Sequence, residues 1–184
     1  MGTHPFSLGI IVGRFQTLHS GHEDMIRTAL ALCDRVGVFV GSSQESGTAV
    51  NPFPYSTREA LLRTLFDRQI EIYPLPDIGV GNNGTWGEYV LQNVKARFGC
   101  LPELLISGKE ERRLSWFDGI QDVNIAELYL PKTITISASQ MRAFFLEDDR
   151  RSWQRHTNPA LWDQYEHLRT LVLESQDCQN TASL

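Results

Sequence analysis

Short β-branched runs separated by helix-length amphipathic stretches are the feature that most constrains this chain. Leu8-Gly9-Ile10-Ile11-Val12, Val36-Gly37-Val38-Phe39-Val40, Ile70 to Tyr73, Leu104-Leu105-Ile106 and Glu127 to Leu130 read as strands. The first two are almost continuously apolar, as parallel strands covered on both faces tend to be. His22 to Cys33 puts Met25, Ile26, Ala29 and Cys33 on one helical face. Ser56 with Glu59 and Thr85 with Glu88 make capping-box patterns, predicting one helix from Ser56 and another from Trp86 towards Phe98. Pro74 and Pro76 close the third strand. Ser137 with Gln140 predicts a helix from Ala138, and Asn158-Pro159 opens a last one through Leu161, Tyr165, Leu168 and Val172. This alternation predicts an α/β fold: a doubly wound parallel sheet with helices on both faces. One domain is expected over 1–174, its C-terminal helical part (about 138–174) forming a short extension, with a polar, frayed tail over 175–184.

Composition narrows the function. With 184 residues, 41% hydrophobic and 21% charged, the chain suits one compact domain. A net charge of -5 argues against a general nucleic-acid-binding surface, which is normally basic. No apolar run approaches the ~20 residues that span a bilayer, and no signal-peptide pattern opens the chain. Cys33, Cys100 and Cys178 are odd in number and form no C-x-x-C, so neither a disulfide framework nor a cysteine metal site is expected. A reducing cytoplasm fits, with Cys33 a small core residue on a helix.

Ligands of doubly wound sheets bind beyond the carboxyl ends of the strands. The chemistry is therefore expected just after Val12, Val40, Tyr73 and Ile106. Gly13-Arg14-Phe15-Gln16-Thr17-Leu18-His19-Ser20-Gly21-His22 follows the first strand and opens the first helix. A helix N-terminus favours phosphate through its unpaired N–H groups and dipole. His19 and His22 can face one ligand across Gly21, which permits close approach, and two imidazole donors would stabilise charge on a phosphate under attack. The alternative is a capped helix with two surface histidines. A zinc site lacks further cysteine or acidic ligands at suitable spacing.

The string G-R-F-Q-x-x-H-x-G-H resembles the archaeal-type nicotinamide-nucleotide adenylyltransferases of the H-x-G-H nucleotidyltransferase superfamily, with Thr17 where that family usually has proline. Ile136-Ser137-Ala138-Ser139-Gln140-Met141-Arg142 is similar to the second signature of that superfamily. Ser137 and Ser139 offer hydroxyls and Arg142 a fork of donors to the outer phosphates; alone, the same residues read as a capped helix with a solvated arginine. Val40-Gly41-Ser42-Ser43-Gln44-Glu45-Ser46 with Asn51-Pro52-Phe53 and Arg58 resembles the acceptor stretch of the family, and Pro74 to Ile78 with Asn83 and Trp86 another such stretch. Departures are the longer loop Gly79 to Gly84, in which Asn82 or Asn83 could take the asparagine role, the absence of histidine in Ser46-Gly47-Thr48, and the charged Lys109, Arg112 and Arg113 after Ser107-Gly108. These three cations suit either ATP phosphates or a solvated helix face.

The resemblance implies a Rossmann-like adenylyltransferase that moves AMP from ATP onto nicotinamide mononucleotide, with Mg²⁺ accompanying ATP and no protein metal site. It implies catalytic roles for His19, His22 and Arg142. ATP would be bound by Gly13, Arg14, Phe15, Gln16, Gly21, Ser107, Gly108, Ser137 and Ser139. The acceptor would be bound by Ser42, Asn51, Pro52, Phe53, Arg58, Asn83 and Trp86, with Trp86 stacked on the nicotinamide ring; the rival for Trp86 is a core residue at a helix start. Members of the family often form homo-oligomers, although no interface is self-evident here. Competing readings are a relative with another phosphorylated acceptor (phosphopantetheine, flavin mononucleotide or a phosphoalcohol) and a non-catalytic nucleotide sensor. Preference between nicotinamide and nicotinate forms stays open in the sequence.

Overall fold

The computed structural model describes residues 2–81, 83–108, 114–131 and 136–181. Five strands form one sheet: β1 (Phe6–Gly13), β2 (Cys33–Gly41), β3 (Glu71–Leu75), β4 (Leu104–Ser107) and β5 (Ala126–Tyr129). Their spatial order is β3-β2-β1-β4-β5, and every neighbouring pair is parallel. The order reverses between β1 and β4, which opens a crevice at the carboxyl ends of those strands. This is the doubly wound sheet that the alternation predicts.

Alternation along each strand divides the core. Ile11, Val36, Val38, Val40 and Ile106 pack under α1 (Ser20–Leu32), α2 (Tyr55–Phe66) and the C-terminal helices. Leu8, Ile10, Phe39 and Leu105 pack under α3 (Gly84–Phe98) and a 3-10 turn at Leu114–Phe117. The C-terminal part comprises α4 (Ala138–Leu146), α5 (Arg150–Arg155), a second 3-10 turn at Pro159–Gln164 and α6 (Tyr165–Thr181). No described helix is long and apolar enough to cross a membrane.

Several boundaries differ from the sequence expectation. Cys33 lies just beyond the last turn of α1 as its C-cap, its N–H donating to Ala29 O, and is the first residue of β2. It is buried, as expected. The Ser56–Glu59 box does not form, because α2 starts one residue earlier behind Pro54, leaving Ser56 inside the first turn. Pro74 lies inside β3 rather than closing it, opposite Val40. A proline is tolerated there because β3 is an edge strand and needs only one ladder. Asn83, not Thr85, caps α3, its side chain accepting from Trp86 N. The Ser137–Gln140 box forms in full. The helix expected from Asn158-Pro159 begins as a 3-10 turn capped by Asn158. The last helix continues past Glu174 to Thr181, with Ser175 buried and its hydroxyl donating to Val172 O.

Two contacts fix the walls of the crevice. Ser20 N donates to His156 O at 2.8 Å, and the Asn158 amide donates to both oxygens of Glu23 at 3.0 and 3.2 Å. The C-terminal part is thereby tied to the first turn of α1. On the other face, Gly87 of α3 lies so close to the Trp116 carbonyl that a Cβ would overlap it. Gly87→Ala is therefore expected to displace the 3-10 turn and cost roughly 1–3 kcal/mol of stability, read by urea unfolding and by a shift in tryptophan emission. Wild-type stability in that variant would show that the turn yields freely.

Candidate active site

A cleft of about 710 Å³ sits at the carboxyl ends of β1 and β4. Its lining includes Gly13, Arg14, Phe15, Gln16, His19, Gly21, His22, Ser42, Trp86, Ser107, Gly108, Ser137 and Arg142, thirteen of the residues singled out in sequence. Phe15 and Ser42 hold positive φ of 51 and 47 while buried, so each strand end turns sharply to open the crevice.

The two imidazoles lie together, ring centroids 4.0 Å apart, with Phe15 against His22 at 4.9 Å. His19 is the N-cap of α1, and its Nδ1 accepts from Gly21 N at 3.1 Å. A backbone amide can only donate, so the His19 ring proton lies on Nε2. Gly21 suits this fold-back, since a Cβ there would meet the His19 ring at 3.1 Å, closer than an ordinary contact.

The start of α1 is closed. Ser20 N is taken by His156 O, Gly21 N by His19 Nδ1, and the amides of His22 and Glu23 by His19 O. The unpaired α1 amides expected from sequence are therefore already bonded within the protein. Anion binding at this end falls to imidazoles, arginines and the helix dipole. At α4, by contrast, the Ser137 hydroxyl and Gln140 satisfy each other's ends, and no described residue takes the amides of Ala138 and Ser139. Ser139 does not itself line the cleft; its hydroxyl accepts from Arg142 Nη2 at 3.2 Å. Burial first, then the Arg14 charge, lowers the Arg142 guanidinium from its ordinary range, so both cations act at one place.

The expected acceptor residues separate. Ser42 and Trp86 line the cleft; Asn51, Pro52, Phe53, Arg58 and Asn83 do not. Phe53 is fully buried, and its backbone is gripped at both ends by the Gln16 amide at 2.9 and 3.3 Å. Asn51 and Pro52 close their own loop through Thr48 and Gly47. The Asn83 amide caps α3 and donates to Val80 O. Arg58 lies beneath the floor, donating to the carbonyls of Arg14, Gly41 and Ser42 at 2.8–3.0 Å. Burial pushes its guanidinium down to about 10, so it stays charged at neutral pH. Asn82, Lys109, Arg112 and Arg113 lie outside the described residues.

Sequence reasoning missed Asp24, Met25, Thr28, Trp116, Leu130 and Pro131, all in the lining, and did not carry Asp77 into the site. Asp24, Met25 and Thr28 follow Gly21 at helical spacing, a signal that was available. Trp116 meets Trp86 edge-on, centroids 6.2 Å apart at 90°. The buried Trp86 Nε1–H has no partner among the described residues. Among those residues no group of three or more His, Cys, Asp or Glu could hold a metal.

Strand order and crevice define a doubly wound parallel α/β domain whose cleft, at the carboxyl ends of the strands, brings two imidazoles and two arginines into one lining. A family profile described as cytidylyltransferase-like matches residues 10–156, so the chain belongs to the cytidylyltransferase-like family. It is 41% identical over 90 residues to the nicotinamide-nucleotide adenylyltransferase of Saccharolobus solfataricus, covering 46% of this chain and 51% of that protein. It is 40% identical over 95 residues to that of Thermococcus onnurineus, covering 49% of each. The matched region spans about half the length of these curated relatives. A bifunctional NMN adenylyltransferase/ADP ribose pyrophosphatase from Francisella tularensis, complexed with AMP and a Mn ion, shares the fold. The TM-score is 0.72 at 18% identity, over 94% of this chain and 51% of that one.

Arg58 carries a checkable consequence. Arg58→Met strands several buried carbonyls, each costing roughly 1–3 kcal/mol. Urea denaturation is expected to show a loss of about 3 kcal/mol or more, and a loss under about 1 kcal/mol would mean that water replaces the guanidinium.

Proposed function

We propose that this chain transfers AMP from ATP to nicotinamide mononucleotide, giving NAD and pyrophosphate. The observation that carries the reading is the convergence of His19, His22, Arg14 and Arg142 on one cleft that Trp86 also lines. The partial identity to two nicotinamide-nucleotide adenylyltransferases supports it.

The reaction follows from these parts. The 5′-phosphate of the mononucleotide is already an anion and needs no strong base. One of its oxygens bonds the α-phosphorus of ATP, the bond from that phosphorus to the α–β bridging oxygen breaks, and pyrophosphate leaves with the electron pair. The tasks of the protein are positioning and charge stabilisation. His19, with its proton on Nε2, and His22 donate to the α-phosphate oxygens, while Arg14 and Arg142 hold the outgoing phosphates. The open amides of α4 and the Ser137 region add neutral donors at that end. Magnesium arrives with ATP as part of the substrate, held by phosphate oxygens and water. The cationic pyridinium ring packs on the Trp86 indole.

The decisive experiment is pyrophosphate release from ATP with nicotinamide mononucleotide, phosphopantetheine, flavin mononucleotide and a phosphoalcohol offered in turn. Release with another acceptor alone would replace this reading, and none with any would leave a nucleotide-binding protein without transfer. His22→Ala is expected to lower turnover about 10²-fold while ATP affinity stays within a few-fold; near-normal turnover would remove His22 from the transition state. Trp86→Ala is expected to raise the KM for the mononucleotide several-fold with little change for ATP. An unchanged KM would take Trp86 out of the acceptor site.

A further inference from the structure

His19 and His22 stand between two anchors supplied from far along the chain. Ser20 N donates to His156 O at 2.8 Å. One residue past His22, the Glu23 carboxylate accepts from the Asn158 amide at 3.0 and 3.2 Å. Arg27, one turn on, donates to the same carboxylate through Nε and Nη2 at 2.9 and 2.7 Å. Neither Glu23 nor Asn158 lines the cleft.

The far end of each tie belongs to the packed unit that carries Arg142. Phe145 of α4 sets its ring against Trp153 of α5 and Tyr165 of α6, centroids 5.7 and 5.4 Å away. Phe144 lies parallel to the His156 ring at 6.1 Å. Phe144 O accepts from Asp149 N, and Phe145 O from Arg169 Nε. Residues 156–158 are braced as well: the buried Thr157 donates its hydroxyl to Trp153 O, and Asn158 Oδ1 accepts from Ala160 N. Trp86 stands apart from this unit, on α3 in the other layer of the core.

We infer that Glu23 and Asn158 are positioning residues for the transfer. The bond between them sets the register of α1 against the C-terminal unit, and with it the placing of His19 and His22 relative to Arg142. This rests on the proposed reading in which those three side chains share one triphosphate. Groups that share a transition state tolerate little displacement, and a shift of about 1 Å can cost about 10²-fold in rate.

The test reverses donor and acceptor across the tie in the full chain. Asn158→Asp sets two carboxylates face to face, while its side chain can still cap the 3-10 turn. Glu23→Gln leaves one acceptor oxygen between two donors. In the double variant the Gln amide can donate to the Asp carboxylate, so the bond returns with its polarity reversed. Pyrophosphate release with MgATP and nicotinamide mononucleotide is expected to show kcat about tenfold lower in each single variant. The KM for the mononucleotide should stay within about twofold, because Trp86 is not on the displaced unit. The double variant should recover to within about threefold of wild type, a coupling that two independent losses of stability would not produce. Asn158→Ser keeps the cap, adds no charge and is too short for the tie; it is the second variant should Asn158→Asp not fold, with the same fall in kcat expected. Calorimetric titration with a non-hydrolysable ATP analogue and Mg²⁺ reads the same proteins without an acceptor, and affinity should fall several-fold in the single variants and return in the double. Wild-type kcat and affinity in the single variants, or losses that simply multiply in the double, overturn the inference. A wild type that releases no pyrophosphate defeats the parent reading instead, and the titration then decides the inference by itself.

Discussion

The buried guanidinium of Arg58 is the interaction on which the crevice rests. Its bonds to the carbonyls of Arg14, Gly41 and Ser42 gather the ends of β1 and β2 just where both chains leave the sheet. Those ends carry backbone turns at Phe15 and Ser42 that side chains rarely adopt, and such turns persist only when the surroundings over-determine them. One planar group with several donors, charged at neutral pH, meets that need, which a lysine could not do in the same way. The Gln16–Phe53 amide pairing extends the same support to the loop that precedes α2. Arg58 and Phe53, which the sequence resemblance assigned to the acceptor, stand in this support and outside the lining of the cleft.

The division between legible and illegible features follows from how locally each is determined. Strands such as Ile10 to Val12 and Val36 to Val40 were readable because burial on both faces leaves them nothing but apolar residues. The cap at Ser137 was readable because both partners of the box lie within one turn. Ser56 and Thr85 carried the same pattern and failed. Each had a competitor nearby, Pro54 at the N-cap position in one case and the Asn83 side chain in the other, and spacing alone does not rank them.

The paired histidines and Arg142 could be gathered from motifs, since each follows a strand end or a cap. Trp116 could not, because a four-residue 3-10 turn has no periodicity to betray its face. Nor could the hydrogen bond from Ser107 to Glu127, which depends on strand register rather than on any local pattern. Pro74 marks the same limit: whether proline ends a strand or edges a sheet depends on neighbours far along the chain.

The bonded amides at the head of α1 have a kinetic side. A ligand anion at this end of the crevice meets rings and guanidinium groups on rotatable bonds, with no rigid row of main-chain donors turned towards it. In the proposed transfer, such a surface would adjust as charge migrates from the centre of a triphosphate to its departing end. In the same reading it would release an anion more readily than a fixed nest of amides, so the helix start would guide the anion without becoming a trap for it.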